Sequence, residues 1–134
     1  MKLLFTDGSC LKNPNGPGGW AFILISDEDE IHISDYDKCT TNNKMELKAV
    51  IEGLKIIKEK EECKIFSDSL YVINCATGKW KRKLNLEMWK EYDKVSNNKI
   101  ISFEWIKGHS GNEYNEKVDK MALNEARSVN IKQT

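Results

Sequence analysis

Residues 43–67, NKMELKAVIEGLKIIKEKEECKIFS, carry two hydrophobic periods in succession. From Asn43 to Lys60 apolar residues recur at three- and four-residue steps, which predicts a helix, and Cys63 to Ser67 reads as a short strand. A helix that hands the chain back to a strand is the crossover that makes neighbouring strands parallel. Upstream the pattern differs. Lys2 to Thr6 reads as a strand, Asp7 to Gly19 as a turn-rich loop holding both prolines, and Trp20 to Ser26 as a second strand. After a polar turn, Asp27 to Glu30, Ile31 to Tyr36 reads as a third strand, so this half predicts an antiparallel meander. Downstream come a short helix Ser69 to Ala76, a basic connection Gly78 to Lys83, and a helix Leu86 to Val95. A strand Ile100 to Lys107, a glycine-flanked loop and a helix from Asn115 to Arg127 complete the chain. The expectation is one α/β domain over residues 1–134, with helices packed on a mixed sheet.

Composition narrows the class. The chain has 134 residues, of which 40% are hydrophobic and 31% charged, a globular rather than a disordered balance. Lys plus Arg and Asp plus Glu are 21 each, so a polyanion site would have to come from local clustering. Four cysteines, Cys10, Cys39, Cys63 and Cys75, form no C-x-x-C pair, and His32 and His109 complete no zinc-ligand spacing. They read as free thiols in a reducing compartment. The longest apolar run, Trp20 to Ile25, is too short to span a membrane, and Met1 to Phe5 offers no signal-peptide core. A cytoplasmic protein is expected, or a viral one acting in the host cell.

Four carboxylates sit where carboxylates are unusual. On a helical wheel of roughly 100° per residue, Val50, Gly53, Leu54 and Ile57 fall within about 80° of Glu46. Glu46 is therefore a charge on the apolar face, unless Asn43-x-x-Glu46 is simply a capping box. Asp119 lies beside Asn115, Ala122 and Ala126 in the last helix, either turned inward or at the rim of the packed face. Asp7 ends the first strand and Asp68 the fourth, where open α/β sheets place their sites. Each also has a structural reading, Asp7 as a turn former and Asp68 as a helix N-cap. Taken together, clustered carboxylates raise one another's pKa and are tolerated mainly when they share cations. Hard oxygen donors without His or Cys favour Mg2+ or Mn2+ over zinc. Two such ions about 4 Å apart would brace the attacking and leaving oxygens of a phosphodiester displacement. His109, in Lys107-Gly108-His109-Ser110-Gly111, is either a solvated loop residue or a proton carrier near neutral pH.

At these residues the sequence resembles ribonuclease H type 1. The matching segments are Phe5 to Cys10, Asn13-Pro14, Gly16 to Trp20, Thr40 to Leu47, Ser67 to Val72, Trp105 to Gly111 and Asn115 to Asp119. Together, in family order, they span essentially the whole chain. The resemblance implies a ribonuclease H-like fold, a five-stranded mixed sheet with its first three strands antiparallel and two more parallel, flanked by helices. It implies that Asp7, Glu46, Asp68 and Asp119 hold two Mg2+ ions, with Mn2+ able to substitute, and that His109 assists proton transfer and product release. The implied reaction is endonucleolytic hydrolysis of the RNA strand of an RNA–DNA hybrid, leaving 5′-phosphate and 3′-hydroxyl ends.

Cys10, Asn13, Asn42 and Asn43 match minor-groove positions of the family, where amides read 2′-hydroxyls and base edges. Thr41 matches part of a DNA-phosphate pocket, and Trp80 an aromatic that stacks on deoxyribose, one residue out of the bacterial spacing from Asp68. Three features depart from the family pattern. Cys39 stands where many relatives carry arginine, Leu70 where a polar or methionine side chain is common, and the long basic protrusion of many bacterial members is missing. Lys81, Arg82 and Lys83, with Lys79, are the densest positive cluster left to meet the DNA strand, or else a solvated helix end. Competing readings are another nuclease or transposase of the same fold, a detached reverse-transcriptase domain, and a hybrid-binding module without catalysis. The Thr41-Asn42-Asn43 segment and the His109 loop argue against the first, the start at Met1 against the second, and the four carboxylates with His109 against the third; a monomer is expected, with the hybrid as partner and no membrane.

Overall fold

The computed structural model describes residues 1–132, so the last two residues of the expected domain lie outside the described residues. Nine elements follow one another: β1 (Lys2–Cys10), β2 (Gly16–Ser26), β3 (Asp29–Thr40), α1 (Asn42–Lys55), β4 (Glu62–Ser67), α2 (Leu70–Ala76), α3 (Leu86–Ser96), β5 (Ile100–Trp105) and α4 (Glu113–Lys132). The sheet order is β3-β2-β1-β4-β5. β1 pairs antiparallel with β2, and β2 with β3. β1 pairs parallel with β4, and β4 with β5. This is the expected mixed sheet.

Alternation along β1 and β2 builds two cores. Leu4, Trp20, Phe22 and Leu24 face α1, where they meet Leu47, Val50, Ile51 and Leu54, with Trp89 of α3 beside them. Phe5, Ala21 and Ile23 face Val118 and Ala122 of α4. Successive strand residues point to opposite faces, so one run of apolar residues serves both layers. Each fully buried Leu, Ile or Phe contributes about 1.5–3 kcal/mol. Among the described residues no helix is long and apolar enough to cross a membrane.

The first two strands are longer than the sequence predicts. Asp7 to Cys10 and Gly16 to Gly19, read as loop, extend the strands through the pairs Gly8↔Trp20, Ser9↔Gly19 and Cys10↔Gly18. Glycines placed there as turn formers instead allow close layering: a Cβ on Gly19 would collide with the Ala122 carbonyl and with Glu125 on α4. β3 likewise extends from Asp29 to Thr40, beyond the expected Ile31 to Tyr36. α1 stops at Lys55 rather than Lys60, because the Ile56 N–H bonds back to the Gly53 carbonyl and Lys60 takes a positive φ of 68°. α4 starts at Glu113, capped by Asn112, whose side-chain oxygen accepts from the Asn115 N–H at 2.9 Å.

Candidate active site

β1 and β4 pair only as far as Phe5 and Phe66. Beyond that, β1 continues beside β2 alone. The fork so formed lies between the antiparallel and parallel halves of the sheet, the kind of switch point where α/β proteins place their sites. Asp7 sits within the fork, mid-strand rather than at the strand end expected, and is buried. Asp68 follows β4 directly. Glu46 arrives from α1, and Gly8 permits it: a Cβ there would collide with the backbone of Met45 and Glu46.

None of the three serves the local structural role open to it in the sequence. The N-cap of α1 is Thr41, whose hydroxyl accepts from the Lys44 N–H at 3.2 Å, so no Asn43–Glu46 capping box forms. The N-cap of α2 is Ser69, accepting from the Val72 N–H at 3.1 Å, so the Asp68 carboxylate does not cap the helix. Asp7, Glu46 and Asp68 each bring an oxygen to within 4.8 Å of the others. Glu46 Oε1 is fully enclosed and accepts no hydrogen bond. Three carboxylates converging in one buried place, one with an orphaned oxygen, is a donor set that fits a hard divalent cation.

The electrostatics agree. Burial above all, helped by the negative charges of Asp68 and Asp119, pushes the Asp7 carboxyl up to about 7. Burial and then the Asp7 charge hold Glu46 well above the carboxylate range. Asp68 is raised by burial and by the charge of Asp119. Without a cation Asp7 keeps its proton to near neutrality. A bound divalent ion would compete with that proton.

Asp119 lies on α4, outside the tight trio, yet close enough for its charge to bear on Asp7 and Asp68. His109 is exposed on the turn before α4 with φ 58°, and its charge bears on Asp68 in the opposite sense. This loop is stitched to the β4 end: the Ile106 N–H bonds the Ser67 carbonyl at 2.9 Å, and Trp105 Nε1 bonds the Asp68 carbonyl at 3.2 Å. Gly108 approaches so closely that a Cβ would lie 3.0 Å from Asp68 Oδ2. Trp105 and Gly108 were given no individual role by the sequence reading; a tryptophan at a strand end carries no local sign of its partner.

The proposed substrate residues divide. Asn13, Thr41, Asn42 and Asn43 line one groove of about 400 Å3, with Pro14, Leu84 and Asn85. Asn42 Oδ1 accepts from the Cys10 N–H at 2.7 Å and Asn13 Oδ1 from the Asn42 N–H at 3.0 Å, which leaves both amide NH2 groups without a partner among the described residues. Trp80 is 49% exposed, and Lys81 and Lys83 are exposed beside it. The Cys10 thiol is buried and donates to the Gly16 and Thr40 carbonyls, and the Cys10 N–H donates to Asn42. The Arg82 guanidinium is paired with Asp93 and lies over the Trp89 ring.

A sheet of this order, with an acidic cluster in its fork, has the ribonuclease H-like fold. The sequence profile of the family described as RNase H matches residues 1–127. The ribonuclease H of Campylobacter concisus is 45% identical over 134 residues, covering 94% of this chain and 92% of its own. That of Acetivibrio thermocellus is 41% identical over 138 residues, covering 92% and 93%. Among solved structures, the N-terminal RNase H domain of a Mycobacterium tuberculosis protein, fused to maltose-binding protein, has a TM-score of 0.86 at 19% identity, covering 99% of this chain and 98% of that one. LC11-RNase H1, in complex with RNA/DNA hybrid, has a TM-score of 0.79 at 20% identity, covering 96% and 98%. These two likenesses speak to the fold. The chain belongs to the RNase H family and is an enzyme, a ribonuclease of the hydrolase class.

Proposed function

We propose that this chain hydrolyses the RNA strand of RNA–DNA hybrids at the Asp7–Glu46–Asp68 cluster, leaving 5′-phosphate and 3′-hydroxyl ends. Family membership supports hybrid-cleaving endonuclease activity. The observation that carries the site is Glu46 Oε1, enclosed and without a protein donor beside two further carboxylates. Asp7, Glu46 and Asp68, with Asp119 at the rim, would hold Mg2+ or Mn2+. Bound there, the cations supply positive charge to the attacking and leaving oxygens of the displacement. His109, exposed on a loop anchored to the Asp68 backbone, would carry a proton to or from the reacting group.

The unpaired NH2 groups of Asn13 and Asn42, with Asn43, would offer donors to 2′-hydroxyls and base edges, a basis for telling RNA from DNA. Thr41, in the same groove, would meet the DNA strand. Trp80 offers a ring face for stacking, and Lys79, Lys81 and Lys83 offer unpaired charge to phosphates. Cutting of labelled hybrid, double-stranded RNA and double-stranded DNA, with product ends determined, tests the reading. Only the hybrid should be cut, in its RNA strand. Equal cutting of double-stranded RNA, or products bearing 3′-phosphate, would overturn it.

A further inference from the structure

The segment joining α2 to α3 poses a physical problem. It carries Lys79, Lys81, Arg82 and Lys83 within five positions, and residues 81–85 belong to no helix or strand. Like charges repel, and fixing irregular backbone costs about 1–2 kcal/mol per residue. Something must hold it.

Most of the restraint comes from one side chain. Arg82 Nε donates to the Cys75 carbonyl at 3.1 Å, one of the carbonyls left without a helical partner where α2 ends. Arg82 Nη1 donates to both carboxylate oxygens of Asp93 on α3, each at 2.9 Å. The guanidinium lies 4.4 Å from the Trp89 ring and 5.7 Å from that of Tyr92, both buried in the core beneath α3. Arg82 thus ties the segment to α2 and α3 by hydrogen bonds, an ion pair and ring contacts. Its neighbours do the reverse. Lys81 and Lys83 are exposed and carry no ion pair among the described residues.

The ends of the segment show what the tie controls. On one side the Trp80 N–H bonds the Asn74 carbonyl at 3.0 Å, leaving the indole half exposed. On the other, Asn85 donates to the Tyr71 hydroxyl at 2.9 Å, and Leu84 and Asn85 line the groove that holds Asn13, Thr41 and Asn42. Arg82 stands between the exposed indole and that groove.

We propose that Arg82 is the positioning residue for hybrid binding in this chain. Locked to Asp93 and Trp89, it presents Trp80, Lys81 and Lys83 to the duplex in a preformed arrangement and touches no phosphate itself. This rests on the reading above that Lys81 and Lys83 meet the hybrid. A segment ordered before binding does not have to be ordered at the expense of affinity. Lysine is no substitute for the arginine, because it cannot make the Nε and Nη1 contacts together or stack a planar group on Trp89.

Asp93→Asn provides the test, because two accounts give opposite signs. Asp93 is an exposed acid near a surface meant for a polyanion, so removing its charge should by electrostatics alone tighten hybrid binding or leave it unchanged. If Arg82 itself gripped a phosphate, freeing it from Asp93 would act in the same direction. The proposal requires the opposite: Asp93→Asn and Arg82→Lys should each weaken hybrid binding about fivefold to tenfold, raise KM in step, and leave the saturated single-turnover rate unchanged. The loss should shrink below about twofold in a Lys81→Gln/Lys83→Gln background, because the tether would then have little left to position. Unchanged or tighter binding by Asp93→Asn, with Lys81→Gln/Lys83→Gln still impaired, overturns the tether alone. A silent Lys81→Gln/Lys83→Gln variant overturns the underlying reading of the segment, and the inference with it. A lower Tm without any change in KM would reduce Arg82 to a purely structural residue.

Discussion

Trp105 Nε1 donates to the Asp68 carbonyl at 3.2 Å, so the end of β5 holds the residue that brings the third carboxylate to the cluster. The Asp68 side chain hangs from a bend with no helical or strand hydrogen bond of its own, and this contact joins the Ser67–Ile106 bond in fixing it. Trp105→Phe keeps the ring and removes the donor. Trp105 is half exposed, so the stability loss should stay near the net worth of one hydrogen bond, about 1 kcal/mol. Metal affinity, read by Mg2+ titration of cleavage, should fall about tenfold or more, as for other groups that orient ligands. Unchanged Mg2+ dependence would leave the contact without a role in the site.

His109→Ala should cut slowly rather than not at all. A positioned proton carrier is worth about a hundredfold or more, whereas the carboxylates would hold the cations on which the whole reaction depends. Single-turnover rates of His109→Ala and Asp68→Asn, measured side by side, decide this. Equal inactivity would remove the auxiliary role of His109.

The raised Asp7 pKa makes a stability prediction for the metal-free protein. Burial pushes the Asp7 carboxyl from the usual carboxylate range up to about 7, so the folded chain binds the extra proton. Stability from this group is full below about pH 4 and is lost as pH rises through about 7. Asp7→Asn, which never ionises, escapes that loss. In chelator it should therefore melt above the parent at pH 8, and the gap should close toward pH 4. At about 1.36 kcal/mol per pKa unit, the gain at pH 8 is on the order of a few kcal/mol. Parallel melting curves across that range would contradict the raised value.

Gly19→Ala should destabilise the fold by about 1–3 kcal/mol or more, since a methyl there meets the α4 backbone rather than a side chain that can swing away. Urea unfolding measures it. A neutral substitution would mean that α4 does not lie against β2 as described.

Much of this architecture was legible because it depends on local period. The apolar stripe of α1 showed Glu46 to be misplaced on the wheel, and the structure puts that residue in the buried cluster. What was not legible depends on partners distant in sequence. Gly16 to Gly19 has the composition of a turn, and it becomes strand by pairing with β1 and β3, with Gly19 close against α4. Arg82 looked like one more cation among lysines, because its partners Trp89 and Asp93 come together with it only when α3 folds back. Nothing local marks the Cys10 thiol as buried, because the Gly16 and Thr40 carbonyls that accept from it lie on neighbouring strands. Local sequence offered Asn43, by the capping-box spacing, as the cap of α1, but the helix begins earlier and Thr41 takes the part.

The proposed function turns on Asp7, Glu46 and Asp68 forming one cation-holding centre where the RNA strand is cut. Its most direct test is single-turnover cleavage of a labelled RNA–DNA hybrid across a Mg2+ series, for the parent, Asp7→Asn and Glu46→Gln, with hybrid binding measured in parallel. The parent should cut only when Mg2+ is present. Both variants should lose nearly all cleavage at every Mg2+ concentration while still binding hybrid. Robust cutting by the parent in excess chelator, or by either variant at saturating Mg2+, would contradict the claim.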